Sequence, residues 1–429
     1  MDGIRARRTQ VKRSSMPAEG EGPHPGTNRS ARVVCLSPNI PYKSVPHAGG
    51  RYLWTLQQVL EGTARFELWA PDHVHNVEAL TEEGHPARAR VFSQKTVRNP
   101  HLRSLLESLQ SALELGFPVL PTIGEALGIL TNPELRRVIR SADVVDLQWE
   151  DYAQLAPLIR ALNPRARVIC TLHDVVSQRF QRYLDTRTHA RGRARWILAT
   201  RTARIAEKLI TCTADVVIVF SDKDRRLLGS ARNVEVVHPA LDSFTVIDRT
   251  HDLDHREIFF VGLMSRPENI DAVEWFIDRI LPEIRRREPG AHFSILGGGT
   301  PAEIVQRHSP NDAVTFHGYV EDLSPWYGRA AVCVVPLRFG AGVKFKTVEA
   351  LVAGVPTVTT SVGAEGIGTA SYFSALTDDP VEFADAVARV LESPTTHSER
   401  AMASRAEVSR RYSLATFSAR VMSIYLDGE

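Results

Sequence analysis

Three residues in the segment 336–366, PLRFGAGVKFKTVEALVAGVPTVTTSVGAEG, are spaced in a way that suits the binding of phosphates and a sugar. Gly342, Lys346 and Glu349 stand at i, i+4 and i+7, which places them on one face of a helix. A glycine loop before a helix offers unpaired N–H groups and the positive helix end to an anion. The lysine then neutralises a diphosphate, and the carboxylate accepts hydrogen bonds from vicinal hydroxyls. A glycine loop, a lysine and a carboxylate in this order along one helix face predict a binding site for a nucleoside diphosphate.

The same spacing also fits an ordinary amphipathic helix whose charges, including Lys344, are solvated, and spacing alone does not separate the two interpretations. The boundaries of the helix are clearer. A strand, AAVCVVP, ends at Pro336, and a loop with Gly340 follows. We expect the helix to begin at residue 342 and to end at Gly354, because glycine is the usual residue just beyond a helix end.

Strands and helices alternate along the rest of the chain. Continuous apolar runs are typical of parallel strands with helices on both faces, and their alternation with helices predicts right-handed βαβ units. In the first half the predicted strands are RVVCLS, FELWA, DVVDLQW, RVICTLH and DVVIVFS, with helices over 51–61, 102–115, 151–162 and 190–210. After a polar linker over 238–256 come EIFFVG, a helix over 269–287, HFSILGGG, AVTFHG, AAVCVVP and VPTVTT, then two terminal helices.

The 429 residues are too many for one ordinary core, so two domains are expected. We predict an α/β protein with two doubly wound, Rossmann-like domains, 31–243 and 244–412, that face each other across a cleft. A disordered basic tail, 1–30, precedes them, and a C-terminal helix, 413–429, follows, with a return to the first domain as one option. Since ligands bind beyond the carboxyl ends of parallel strands, the cleft is the predicted site.

Four blocks of the second half resemble the donor-binding domain of GT-B glycosyltransferases of the retaining family four type (glycosyl transferases group 1). They are FVGLMSRPENIDAVEWFIDRILPEI, FSILGGG, VTFHGYVED and GAGVKFKTVEALVAGVPTVTT, in the family's order. In the first half PHAGGRYLWTL, TLHD and DVVIVFSDKD resemble the family more loosely. The resemblance implies a GT-B fold and hexosyl transfer, with retention, from a UDP-, GDP- or dTDP-sugar to a small-molecule, glycan or lipid-linked acceptor, with no cofactor and no metal.

The resemblance also implies a role for each matched residue. Among the catalytic residues, His173 lies near the sugar and the acceptor, and Arg266 and Lys346 lie at the diphosphate. The donor is bound by the glycines Gly49, Gly50, Gly262, Gly340 and Gly342, by Lys344 at the phosphates, by Glu349 at the ribose, and by the backbone of Tyr319 and Val320 at the base.

One position departs from the family's common pattern, because Ala341 stands where a first glutamate precedes Glu349 by eight residues. The departure leaves the donor sugar unidentified and keeps a non-catalytic nucleotide-sugar-binding protein open as an alternative. A sugar-nucleotide epimerase on the same fold is a second alternative. A dehydrogenase is a third, since GGGTPA (297–302) fits a dinucleotide fingerprint, with Glu321 or Asp322 about 20 residues on. That third alternative leaves the segment 342–349 without a role.

Composition excludes several classes of protein. The net charge of +2 gives no general attraction to nucleic acid, and no His, Cys and Asp residues show metal-ligand spacing. No apolar run reaches the ~20 residues of a membrane span. Of the four cysteines, those at 35, 170 and 333 lie in apolar runs, which predicts buried, reduced thiols and a cytoplasmic protein.

The segment 187–210, RTHARGRARWILATRTARIAEKLI, predicts a basic amphipathic helix. Its cations and apolar residues fall on two stripes, Arg201, Arg204 and Lys208 on one and Leu198, Ile205 and Leu209 on the other. We favour a helix packed on its own sheet with a solvated basic face. The alternative is peripheral contact with an anionic membrane, at its inner face. Nucleic acid is disfavoured as a partner, because no aromatic stripe accompanies the charge.

Overall fold

The structure is a computed structural model, and it describes residues 30–45, 47–93, 123–185, 190–229, 231–241, 249 and 253–427. The predicted helix over 102–115 and nearly all of the predicted tail lie outside these residues, as does much of the predicted linker.

The first half of the chain forms a seven-stranded sheet in which every neighbouring pair is parallel. Its strands are β1 Arg32–Leu36, β2 Arg65–Pro71, β3 Ala89–Phe92, β4 Val144–Gln148, β5 Arg167–Thr171, β6 Val216–Val219 and β7 Val234–Val236. The order β3-β2-β1-β4-β5-β6-β7 reverses direction between β1 and β4. The five predicted strands are confirmed. The strands β3 and β7, at the two edges of this sheet, were not predicted, because they are only four and three residues long.

Helices connect these strands. They are α1 Ala48–Glu61, α2 Val74–Ala79, α3 Ile123–Thr131, α4 Pro133–Arg140, α5 Trp149–Ala153, α6 Ala156–Leu162, α7 Val176–Asp185, α8 Ala190–Thr213 and α9 Asp222–Leu227. The single helix predicted over 151–162 is wrong, because the chain turns at Gln154 and Leu155 between α5 and α6. Pro157, which has no N–H to continue a helix, stands in the first turn of α6.

The second half forms a six-stranded sheet, also parallel between all neighbours. Its strands are β8 Asp254–Val261, β9 His292–Leu296, β10 Val314–Gly318, β11 Ala330–Val335, β12 Thr357–Thr359 and β13 Ala375–Leu376. The order β10-β9-β8-β11-β12-β13 reverses between β8 and β11. The two doubly wound sheets confirm the predicted fold class. Parallel sheets of this kind offer a crevice at the reversal, beyond the carboxyl ends of the two central strands.

The helices of the second half are α10 Pro267–Trp275, α11 Leu281–Arg287, α12 Ala302–His308, α13 Ser324–Arg329, α14 Phe345–Val352, α15 Pro380–Glu392, α16 Pro394–Arg411 and α17 Leu414–Met422. A π-helical turn, Phe276–Ile280, joins α10 to α11, and a second, Ser423–Asp427, follows α17. The helix predicted over 269–287 is therefore one continuous stretch of helical backbone with a π segment inside it.

The start of α14 corrects a prediction. The helix begins at Phe345 and not at residue 342, because Gly342 has a φ of +72° and Gly340 a φ of +127°, which a right-handed helix does not admit. Lys346 and Glu349 still share a helix face, three residues apart, but Gly342 lies in the preceding loop. The predicted end at Gly354 is confirmed by its φ of +73°.

One hydrophobic cluster joins residues from both halves. Leu53 of α1, Val348 of α14 and Phe417 of α17 belong to the same buried group. The rings of Tyr52 and Phe417 lie 5.6 Å apart, edge to face. The last helix therefore packs against α1, so residues from the two ends of the described chain share one core.

Helix α8 does not pack as predicted. The apolar stripe that was expected to face the sheet, Leu198, Ile205 and Leu209, is exposed. Small side chains take its place in the buried face, which holds Ala199, Ala203, Ala206 and Ile210. Among the described helices, none is both long and apolar enough to cross a bilayer. Three cysteines, at 35, 170 and 333, are buried free thiols as predicted, whereas Cys212 is exposed.

Candidate functional site

A cavity of ≈ 310 Å³ lies where the loops after β8, β9, β10 and β11 meet the first turns of α1. It stands at the reversal of strand order in the second sheet, which is where ligands bind in folds of this kind. Eight of the residues proposed from the sequence line it: Gly262, Arg266, Tyr319, Val320, Gly340, Lys344, Lys346 and Glu349. Residues far apart in the chain therefore surround one cleft.

Lys346 lies at the floor of this cleft, in the first turn of α14. Its Nζ donates a hydrogen bond of 2.7 Å to Asn269 Oδ1 and lies 4.1 Å from the centre of the Phe260 ring. The Asn269 amide in turn donates to the carbonyl of Leu263 at 2.8 Å, so the lysine is held by an oriented partner. Burial lowers the pKa of Lys346 to about 7. An ammonium that burial disfavours in this way gains most from an anionic ligand.

Glu349 lies one turn further along α14, and its side chain is only 4% exposed. Arg51 Nη2 of α1 approaches its Oε1 to 2.6 Å, and the Tyr327 hydroxyl donates to Oε2 at 3.5 Å. The arginine contact lacks the angles of a hydrogen bond, and Oε1 has no hydrogen-bond partner among the described residues. The buried carboxylate is therefore neutralised by one partly exposed cation, and its oxygens can also accept hydrogen bonds from the hydroxyl groups of a ligand in the cleft.

The charged residues that line the cleft are mostly cations. Four of them, Arg51, Arg266, Lys344 and Lys346, face only two acids, Glu268 and Glu349. Arg266 caps α10 at the mouth of the cleft, where its side chain is 54% exposed and its Nη1 lies 3.8 Å from Glu268. The excess of positive charge in a narrow cleft attracts an anion.

The loop 340–344 is held from within and from the first half of the chain. Lys344 Nζ donates to the carbonyls of Ala341 at 2.9 Å and Gly342 at 2.6 Å, so this amine stabilises its own loop. Burial lowers the pKa of Lys344 to about 8. Arg182 of α7 donates to the Gly340 carbonyl and binds the Glu365 carboxylate through both terminal nitrogens. The backbone N–H groups of the loop are therefore oriented before any ligand arrives.

His173 does not line the cleft, although the sequence placed it at the sugar. Its ring stacks on Trp149 with centres 4.0 Å apart. Its Nε2 lies 3.2 Å from Gln148 Oε1, and the Gln148 amide donates to Asp146 at 2.7 Å, which assigns the ring proton to Nε2. Burial and the neighbouring His47 lower the pKa of His173 to about 3, so the ring is neutral.

Gly49, Gly50 and Gly342 are likewise not among the residues that line the cavity. A Cβ on Gly49 would lie 2.6 Å from the Trp149 ring, and one on Gly50 would lie 2.5 Å from Val45. These two glycines therefore let α1 pack closely against its neighbours. A Cβ on Gly342 would lie 3.0 Å from the His173 carbonyl, so the loop before α14 touches the loop after β5 at this residue.

Several residues of the cleft wall were not predicted from the sequence. They are His47 and Arg51 of α1, Asn269 of α10, and Gly297 and Gly298 after β9. His47 caps α1, with Nδ1 accepting from the Gly50 N–H at 3.0 Å, and Arg51 lies four residues further on the same face. The four-residue spacing of His47 and Arg51 could therefore have predicted from the sequence that both side chains face the same cleft.

The glycines of GGGTPA (297–302), which suggested a dehydrogenase, follow β9. The strand order reverses between β8 and β11, so β9 is not one of the two central strands beside the crevice. A Cβ on Gly297 would lie 1.8 Å from the Gly262 carbonyl oxygen. This glycine is therefore explained by the close approach of two loops. Among the described residues, no three His, Cys, Asp or Glu side chains are grouped so that they could hold a metal ion.

The model of a protein family described as glycosyl transferases group 1 matches residues 255–393, which contain most of the cleft. Glycogen synthase from Mycobacterium tuberculosis (strain CDC 1551 / Oshkosh) is 26% identical over 236 residues, which are 52% of this chain. The matched part spans about half of that relative's length, 55%. The resemblance that the four blocks of the second half suggested is thereby confirmed.

Solved structures share the fold along nearly the whole chain. Sucrose-phosphate synthase from Thermosynechococcus elongatus superposes with a TM-score of 0.64 at 17% identity, covering 92% of this chain and 98% of its own. HepE of Anabaena, in complex with UDP and glucose, gives a TM-score of 0.61 at 12% identity, covering 93% and 100%. These likenesses confirm the two-domain GT-B fold.

Proposed function

We propose that this chain is a glycosyltransferase that uses a nucleoside diphosphate sugar as its donor, since its residues 255–393 match the model of glycosyl transferases group 1. One observation carries the proposal. Two successive turns of α14 present Lys346 and Glu349 to the same cleft, and the Glu349 carboxylate keeps acceptor sites beside its ion pair with Arg51. A cation beside a carboxylate acceptor suits a ligand with phosphate at one end and neighbouring hydroxyl groups at the other.

In this proposal the nucleoside lies along the second sheet. Glu349 accepts hydrogen bonds from the ribose hydroxyls, and the base meets the backbone at Tyr319 and Val320, which line the same cavity. The structural relative HepE holds UDP and glucose. A UDP-hexose is therefore the first donor to test, with GDP- and dTDP-sugars as the next.

The chemical step breaks the bond between the anomeric carbon and the β-phosphate oxygen, the oxygen of an acceptor hydroxyl forms the new bond to that carbon, and the hydroxyl proton passes to the departing diphosphate. Negative charge develops on the departing diphosphate, and fixed cations and N–H groups stabilise such charge best where water is excluded. Lys346, Arg266 and the loop 340–344 supply this stabilisation, and retention of configuration follows the family resemblance. Loops of the first half bind the acceptor in polysaccharide, glycolipid or glycosylated metabolite synthesis.

The proposal is tested by incubating the full chain with a panel of sugar nucleotides and simple acceptors, followed by mass spectrometry. Release of nucleoside diphosphate together with a glycosylated acceptor is the expected result. Release of a changed sugar without an acceptor would indicate the epimerase. Tight donor binding without either product, across the whole panel, would indicate a binding protein and contradict the proposal.

The lowered pKa of Lys346 predicts a pH-dependent affinity for the nucleotide. In the free protein the ammonium loses its proton above about pH 7, and the bound diphosphate requires the charged form. UDP affinity should therefore fall by up to about tenfold per pH unit above that value, with uptake of a proton on binding. Calorimetry in buffers of different ionisation enthalpy measures that proton. Lys346→Arg, which stays charged, should move the onset of the dependence up to about pH 8, where Lys344 loses its proton, and an onset still near pH 7 in this variant would contradict the assignment.

A further inference from the structure

The outward face of α8 carries an apolar ridge that nothing in the described structure covers. Leu198, Ile205 and Leu209 are 51%, 65% and 48% exposed. Their spacing of seven and four residues places them within about 40° of helix arc, over about 16 Å of helix. A folded protein seldom leaves three large aliphatic side chains in one exposed row without a use for them.

The helix does not need this ridge for its own packing. Ala199, Ala203 and Ile210 occupy the buried face, and Phe180 of α7 packs against the first two. The small alanines let α8 lie close to its neighbours, so the fold is complete without a contact to the three aliphatic residues.

Cations flank the ridge. The exposed basic residues of the described part of α8 are Arg193, Arg195, Arg201, Arg204 and Lys208. Its one acid, Glu207, is buried and accepts a hydrogen bond of 2.8 Å from the Ser177 N–H. Within the described ranges, no ion pair neutralises Arg201, Arg204 or Lys208. The face is therefore apolar along its centre and positive along its side.

We propose that this face of α8 docks the protein peripherally on an anionic lipid bilayer. Aliphatic side chains that enter the boundary between headgroups and acyl chains, beside cations that meet the phosphates, are the pattern of a helix lying in a membrane interface. A second copy of the chain fits less well, because a symmetric contact would bring two positive faces together. The proposal goes beyond the proposed function, which requires only a donor and an acceptor.

The docked orientation relates the bilayer to the cleft. Helix α7 lies between them, since it packs on α8 and its Arg182 donates to the Gly340 carbonyl in the donor loop. A bilayer against α8 is therefore one helix removed from the loop that lines the cavity.

Flotation of the full chain with vesicles tests the proposal. Vesicles of phosphatidylcholine with phosphatidylglycerol should bind it, vesicles of phosphatidylcholine alone should not, and high salt should release it. The triple variant Arg201→Gln/Arg204→Gln/Lys208→Gln should bind about a hundredfold more weakly, since each cation near an anionic surface contributes about fivefold. Leu198→Ser/Ile205→Ser/Leu209→Ser should bind more weakly even at low salt, because it loses the inserted apolar surface.

Two control variants carry matched changes on other exposed helices. Val74→Ser/Val77→Ser on α2 and Arg225→Gln/Arg226→Gln on α9 should float like the parent chain. Equal binding to both vesicle types, or equal loss of binding in controls and α8 variants, would overturn the proposal. So would a dimer in sedimentation that the serine triple variant dissociates while vesicle binding stays absent.

Discussion

Replacing Lys346 by alanine is expected to lower turnover by roughly 10²–10³-fold, the usual cost of losing one group that stabilises charge in a transition state. The loss should appear in kcat, because charge on the diphosphate increases as the glycosidic bond breaks. Folding should change little. The ammonium is buried at an energetic cost, shown by its pKa of about 7, and its removal offsets part of the lost packing on Phe260.

The matched control for Lys346→Ala is Arg338→Ala. Arg338 lies in the loop between β11 and α14, but its side chain pairs with Asp271 and does not line the cleft. An exposed pair of this kind contributes little, so turnover and melting temperature should stay close to those of the parent chain. Comparable turnover for Lys346→Ala and the parent, with both folded by circular dichroism, would remove the leaving-group role.

Glu349→Gln is expected to weaken UDP binding by about tenfold to a hundredfold, because hydrogen bonds from ribose hydroxyls to a carboxylate are stronger than those to an amide. Inorganic diphosphate has no ribose, so its affinity should be unchanged in the same variant. Calorimetry with both ligands separates the two contributions. Equal weakening of UDP and diphosphate would mean that Glu349 acts on the charge of the cleft and not on the sugar.

The ion pair between Arg51 and Glu349 makes a second control necessary, because it links α1 to α14 across the cleft. Arg51→Gln breaks the same pair and leaves the carboxylate in place. If the ribose assignment is correct, this variant should weaken UDP binding less than Glu349→Gln does, and by the same factor as the binding of inorganic diphosphate, because it removes a cation of the cleft and keeps the carboxylate. A loss as large as that of Glu349→Gln would show that the pair, and not the ribose contact, holds the nucleotide.

Much of the fold was predictable because parallel strands are buried on both faces. A short run of apolar, β-branched residues such as VVIV at 216–219 is typical of a buried strand in a parallel sheet. The alternation of such runs with helices then predicted two doubly wound sheets. The edge strands were not predictable, since β7 has only three residues. The start of α14 was misplaced because the φ angles of Gly340 and Gly342 are set by the loop that contains them.

The candidate site was predictable where neighbours in the chain are also neighbours in space. Lys346 and Glu349 lie three residues apart on one helix, so their common face followed from helical spacing alone. His173 lies after β5, and its ring stacks on Trp149 after β4, a contact between two strand ends that helical spacing does not predict. Side-chain direction at the end of a strand depends on which elements arrive beside it.

By itself the sequence determined that the chain forms two parallel sheets and in which order strands and helices follow one another. It also determined that Lys346 and Glu349 share one face of α14. These features depend on local periodicity. Only the tertiary structure decided that Arg51 meets Glu349 and that α8 turns Leu198, Ile205 and Leu209 outward. Both depend on which of two possible faces a helix buries. That choice follows from the shape of the neighbouring elements, here a close approach that alanines allow and leucines do not.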